Sequence, residues 1–173
     1  MATYLRYAQP NDLPELMEII VRARQLLAEQ KIPQWQNGEG PSEKQLISDI
    51  SLGHCYVLVV DQMIVGLGVI STDKEPPYEQ IKNGNWQDTG SSYAVIHRVA
   101  LHSDHQGRGL ALTLMNLLIS AARLNGYLDI RIDTHPKNLA MQQLIKKAGF
   151  SYQGDILLKV PNGERYAYQL VLT

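Results

Sequence analysis

Val99 to Ala111 reads V-A-L-H-S-D-H-Q-G-R-G-L-A, and the fold is decided there. An apolar strand ends in polar residues, a segment with Gly107 and Gly109 follows, and a long apolar run starts at once. That pattern predicts a strand, a tight turn and a helix N-terminus. The first turn of a helix carries unpaired N–H groups and a partial positive charge, so an anion docks there when no side chain intervenes. Glycines let the backbone come close to a phosphate and adopt left-handed conformations. The chemistry this suggests is diphosphate binding by backbone amides.

Two common nucleotide loops do not fit. There is no G-x-x-x-x-G-K-[ST], and Leu112 stands where G-x-G-x-x-G requires its third glycine. The segment matches Q-x-x-G-x-A instead, at Gln106, Gly109 and Ala111, with Leu101 five residues before the glutamine.

A chain of 173 residues, 45% apolar, suits one domain, taken as residues 1–173, with a core that buries roughly two thirds of the unfolded surface. Sixteen basic residues face 17 acidic ones, so no overall positive field draws in nucleic acid or an anionic membrane. Cys55 is the only cysteine, and the first residues, M-A-T-Y-L-R-Y, lack a signal-like apolar run. A cytoplasmic protein is expected. The most apolar helical stretch, Leu110 to Leu124, is interrupted by Thr113, Asn116, Ser120 and Arg123, so no membrane span is expected.

From the N-terminus, Thr3 to Ala8 reads as a strand ended by Pro10, and Asp12 with Glu15 has capping-box spacing before a helix to about Gln30. Ser42 with Gln45 repeats that spacing before a short second helix. Cys55 to Val60 and Met63 to Ile70 are paired strands across Asp61-Gln62, a two-residue connection without glycine. Thr72 to Ser92 reads as a functional loop, since Tyr78, Ile81 and Trp86 argue against a featureless linker. Tyr93 to Leu101 is the central strand, Arg108 to Asn125 a buried helix closed by Gly126, and Leu128 to Asp133 the next strand. These three make a βαβ unit with parallel strands. Asn138 caps a helix that Gly149 stops, and a hairpin through Pro161-Asn162-Gly163 ends the chain. The fold class is therefore α/β, of the α+β kind: a mixed, mostly antiparallel sheet of about seven strands flanked by four helices.

Asn138-Leu139-Ala140-Met141, Leu144 and Lys147-Ala148-Gly149-Phe150 form a second motif, of the form N-x-x-A/M, L, K-x-G-F. With the Q-x-x-G-x-A turn and the order of elements, it resembles the GNAT superfamily of N-acetyltransferases over Tyr93 to Phe150. The resemblance implies acetyl-CoA as cosubstrate. Its pantetheine arm would lie along Val99, Ala100 and Leu101, and its diphosphate on the amides of Gln106, Gly107, Arg108, Gly109, Leu110 and Ala111. Asn138 has two readings, a bond to pantetheine or a cap for its own helix. The implied reaction is direct transfer of the acetyl group to a primary amine of a small molecule or peptide. The alternative is an acyl-CoA-binding sensor without turnover.

An amine with a pKa of about 10.4 is neutral in only about one molecule in 2,500 at pH 7, so transfer calls for a proton acceptor. His97 is the candidate base, or else a structural histidine. It lies on the central strand, and strict alternation places it on one side with Val99 and Leu101. Many members of the superfamily carry a tyrosine acid where this chain has Ile145, which leaves Tyr152 as the candidate acid. A thiol with pKa near 8.5 also departs without one. His102, His105 and His135 form no spacing with fixed metal geometry, and no metal is expected. Arg108, Lys137, Lys146 and Lys147 either meet the 3′-phosphate of CoA or simply face solvent. For the acceptor, Trp35, Trp86 and Tyr166 are the candidate wall, and Glu39, Glu75, Glu79 and Asp88 the groups that attract a cation. An exposed sheet edge leaves room for a homodimer.

Overall fold

The computed structural model describes residues 2–173. In chain order the elements are β1 (Thr3–Tyr7), α1 (Leu13–Glu29), α2 (Glu43–Ser51), β2 (Cys55–Val60), β3 (Met63–Ser71), α3 (Pro76–Glu79), β4 (Tyr93–Leu101), α4 (Leu110–Leu124), β5 (Asp129–Thr134), α5 (Leu139–Lys147), β6 (Ser151–Leu157) and β7 (Glu164–Val171). The seven strands form one sheet in the order β1-β2-β3-β4-β5-β7-β6. Among the described residues only β4 and β5 run parallel. This is the expected order of elements, with one addition. The stretch taken as a loop, Thr72 to Ser92, holds the single helical turn α3, which Pro76 and Pro77 favour at a first helical turn.

Alternation along β2 shows how the sheet is covered on both faces. Tyr56, Leu58 and Val60 join a core with Leu114, Met115 and Leu118 of α4 and Ile145 of α5. Cys55, Val57 and Val59 join another with Leu16, Ile19 and Ile20 of α1 and Leu46 of α2. A third cluster unites Tyr78 of α3 with Tyr93, Val95, Ile156 and Ala167. Among the described residues no helix is long and apolar enough to cross a membrane.

Local chemistry explains most boundaries. Ser42 Oγ accepts the Gln45 N–H at 3.2 Å while Gln45 Oε1 accepts the Ser42 N–H at 3.0 Å, the reciprocal cap expected for α2. Asp12 does otherwise than its spacing predicts. Its carboxylate caps no amide of α1; it accepts the Gln9 N–H at 2.7 Å and both Arg6 nitrogens, at 2.7 and 3.1 Å. A charged guanidinium within reach outcompetes a helix amide. The β2–β3 turn has positive φ at both Asp61 (48°) and Gln62 (70°), the conformation that suits the strand twist even without glycine.

Two features of β4 create the site. Its pairing with β5 stops at Val95 opposite Arg131, while its pairing with β3 continues to Leu101 opposite Gly66. Beyond Val95 the two parallel strands diverge. The second feature is a bulge. Leu67 pairs with Ala100 but Val69 with His97, so β4 spends one residue more than β3, and Arg98 takes φ 52°. Val99 and Leu101 therefore pack toward α4, while Ala100 packs toward α1. His97 meets Glu75 and the edge of Tyr78, on the other face. This corrects the expectation that His97, Val99 and Leu101 share one side: the extra residue inverts the alternation between them.

Candidate active site

Where β4 and β5 part, a cleft of about 600 Å³ passes through the sheet. Its walls come from both faces: Leu26 and Leu27 of α1 and the 34–41 segment on one, Leu110 and Ala111 of α4 and Met141 and Leu144 of α5 on the other. This volume is in the range of small-molecule and cofactor sites.

At one end lies the glycine turn. Gly107 and Gly109 have φ of 76° and 73°, the left-handed region that glycine tolerates. Gly109 is the N-cap of α4, no side chain caps the helix, and its first turn carries no acidic residue. The leading amides of α4 are thus left for an anion. Gln106, Gly107, Gly109, Leu110 and Ala111 line the cleft, whereas Arg108 is exposed outside it. Lys137, Lys146 and Lys147 are exposed outside it too.

In the middle, Val99, Ala100 and Leu101 line the cleft along the edge of β4 that β5 has left. Polar backbone groups on such an edge have no sheet partner, which suits an extended amide-bearing ligand. These two features, a bare helix N-terminus and a free strand edge in one cleft, fit a phosphate-linked cofactor with an amide arm. Asn138 also lines it. Its Oδ1 accepts the Met141 N–H at 3.2 Å, capping α5, and its Nδ2 donates to Gln34 Oε1 at 3.1 Å.

The other end is polar. His97 Nε2 lies 2.6 Å from Glu75 Oε1, and both side chains are about a quarter exposed. Asp133 accepts a 2.6 Å hydrogen bond from Tyr78 Oη, and Arg165 Nε lies 3.6 Å from its other oxygen. Burial, reinforced by Asp133, pushes the Tyr78 phenol well above its usual range and keeps it a donor. Burial also lowers the Arg165 pKa from its ordinary value, against the pull of Asp133. Arg98 Nη1 reaches within 3.2 Å of Asp49 Oδ2 on α2, near enough for an ion pair although not aligned as a hydrogen bond. Trp35 and Glu39 complete this end.

Several expected residues lie elsewhere. Tyr152 is outside the cleft lining; it is half exposed on β6 and donates to Asp155 at 2.7 Å, a bond that pushes its pKa to about 12. Tyr166 packs edge-on against Tyr152 at 5.6 Å, also outside the lining. Trp86 stacks on Tyr78 with ring centres 5.5 Å apart and donates to its carbonyl, so it props the 72–92 segment from outside the cleft lining. Of the four carboxylates expected to draw a cation, Glu39 and Glu75 line the cleft, and Glu79 and Asp88 do not. The rings of His102 and His105 are 5.7 Å apart, while buried His135 accepts the Lys137 N–H. Among the described residues no three His, Cys, Asp or Glu side chains converge as a metal-holding group.

Asp133, Arg165 and Gln34 are cleft residues that the sequence reading missed. A signal existed for the first: alternation along β5 puts Asp129, Arg131 and Asp133 on one face, and charges on a central strand need partners. Arg165 and Gln34 carried none.

The splayed parallel pair, the uncapped glycine turn and the cleft between them suit a transferase that binds an acyl-CoA. The acetyltransferase (GNAT) family model matches residues 20–150, and the chain belongs to that family. A GNAT-family acetyltransferase from Streptococcus agalactiae 2603 is 32% identical, with 99% of this chain and 96% of that one covered and a TM-score of 0.89. The yncA acetyltransferase of Salmonella typhimurium, solved with its cofactor acetyl-CoA, shares the fold at 19% identity and TM-score 0.72, over 100% of this chain and 95% of that one. AAC(6′)-Ib, in complex with ribostamycin and coenzyme A, shares it at 19% identity and TM-score 0.68, over 99% and 94%. No curated protein sequence matches the chain significantly.

Proposed function

We propose that this chain, as one catalytic domain over residues 1–173, moves the acetyl group of acetyl-CoA directly to a primary amine of a small molecule or peptide. The observation that carries the reading is the continuity of the cleft, which joins the bare N-terminus of α4 to His97 through the gap between β4 and β5. The fold shared with structures holding acetyl-CoA, or CoA and an aminoglycoside, supports it.

The amides from Gln106 to Ala111 hold the diphosphate, and the free edge at Val99 to Leu101 pairs with the pantetheine arm. When bound, acetyl-CoA supplies a thioester as acyl donor. Strand N–H groups on the same edge favour the carbonyl oxygen as negative charge develops there. His97 takes a proton from the ammonium, freeing the nitrogen lone pair to form the C–N bond as the C–S bond breaks, and the acylated nitrogen gives its second proton to water. Among the described residues no tyrosine lines the cleft and Ile145 is fully buried, so the thiolate leaves unaided and takes its proton from solvent. Glu39 and Glu75 favour a cationic acceptor, and Trp35 gives it an apolar wall.

The test is CoA release from acetyl-CoA over a panel of polyamines, aminoglycosides, amino acids and peptides. At least one amine should turn over, and His97→Gln should lower kcat by about 10²-fold or more with the KM for acetyl-CoA unchanged. Wild-type kcat in His97→Gln would refute the base.

A further inference from the structure

His97 is gripped by a segment whose sequence reads as a loop. Trp86 lies flat on Tyr78, at 3° between planes, and Tyr78 lies 6.2 Å from Tyr93. The Arg131 guanidinium sits 4.3 Å from the Trp86 ring and 3.9 Å from the Tyr93 ring, and Asp129 holds it by two bonds of 3.1 and 2.9 Å. Gln169 ties the same segment down, accepting the Gln87 N–H at 2.8 Å. Cation–π contact and a buried two-pronged ion pair both resist displacement. The strap ends at Glu75, whose N–H donates to Tyr93 Oη at 3.3 Å and whose Oε1 lies 2.6 Å from His97 Nε2.

We infer that Glu75 is the positioning residue for His97, fixing the proton of the neutral ring on Nε2 and leaving Nδ1 as the proton acceptor. The inference rests on His97 being the base. An ionised carboxylate only accepts hydrogen bonds, so the nitrogen facing it must carry the proton. The other nitrogen then holds the lone pair. In the transfer an N–H bond of the ammonium breaks, its proton passes to Nδ1, and the freed electron pair forms the bond to the acetyl carbon; the acylated nitrogen then gives its second proton to water. The leaving sulfur carries away the electrons of the C–S bond. Glu75 itself takes no proton. It holds the ring and stabilises the imidazolium formed in the step. The other groups facing His97 are the edge of Tyr78 and, from α2, Asp49 with its partner Arg98.

Long-range proton–nitrogen NMR of the His97 ring at about pH 8.5, where an ordinary imidazole is neutral, reads the tautomer directly. The wild type should show the Nε2–H form alone, and Glu75→Gln a mixture. Kinetically, Glu75→Gln should lower kcat roughly 10- to 100-fold with the KM for acetyl-CoA unchanged. Added to His97→Gln, it should cost nothing further, since it acts through that ring. An Nδ1–H wild-type ring, or an equal loss from Glu75→Gln in the His97→Gln background, would overturn the inference. An Nε2–H ring together with full activity in His97→Gln would instead overturn the base assignment on which it rests.

Discussion

His135 sits buried in the turn between β5 and α5, with Nδ1 accepting the Lys137 N–H at 3.1 Å. Burial, with the nearby Arg165 charge second, lowers the His135 pKa below its ordinary 6.5. The unfolded chain then binds the extra proton first, so the stability His135 contributes is complete above about pH 6.5 and is lost as pH falls from there through its folded value. Thermal midpoints of the wild type should therefore drop between about pH 7 and pH 5.5, and His135→Gln should flatten that drop. An equal drop in both proteins would assign the sensitivity elsewhere. At this scale the sequence was legible where a motif fixes a backbone role, as at Gly109. It was less so where a role depends on partners distant in the chain. Glu75 precedes His97 by 22 residues and Gln34 precedes Asn138 by 104, and no local pattern joins either pair.

The helices and strands were read from caps, breakers and period, and they held wherever those local terms were unopposed. α2 is such a case, being short and capped reciprocally by Ser42 and Gln45. Ser42→Ala should cost about 1 kcal/mol in urea unfolding, with the m-value unchanged. No measurable loss would mean that Leu46, fully buried against α1 and β2, holds the helix without its cap. Besides the turn α3, two features escaped the local rules. Asp12 found Arg6 instead of a helix amide, and β4 acquired an extra residue at Arg98. A bulge is invisible to a period-two reading, because the residues look the same while their faces exchange. The consequence is functional: Val99 and Leu101 face the α4 side and His97 the opposite one, so the cleft can admit donor and acceptor from different faces of one sheet.

Taken whole, the molecule is a mixed sheet whose one parallel pair separates after Val95, and the site is the gap this leaves. The order of elements and the parallel pair follow from the local pattern and the βαβ unit around the glycine turn, which is why the fold class could be read from sequence. The divergence of β4 and β5 could not be, since no residue type marks where two parallel strands part. Thermal unfolding with acetyl-CoA, CoA, ATP and NAD in parallel tests the account at its centre, with Gly109→Trp as the control on the turn. At about 100 times its dissociation constant a ligand adds about 2.7 kcal/mol, roughly 5 to 10 °C for a chain of this size. Both CoA species should raise the midpoint, ATP and NAD should not, and the rise should vanish in Gly109→Trp. A midpoint indifferent to CoA, or raised by ATP or NAD instead, would contradict the cofactor site and the acetyl transfer built on it.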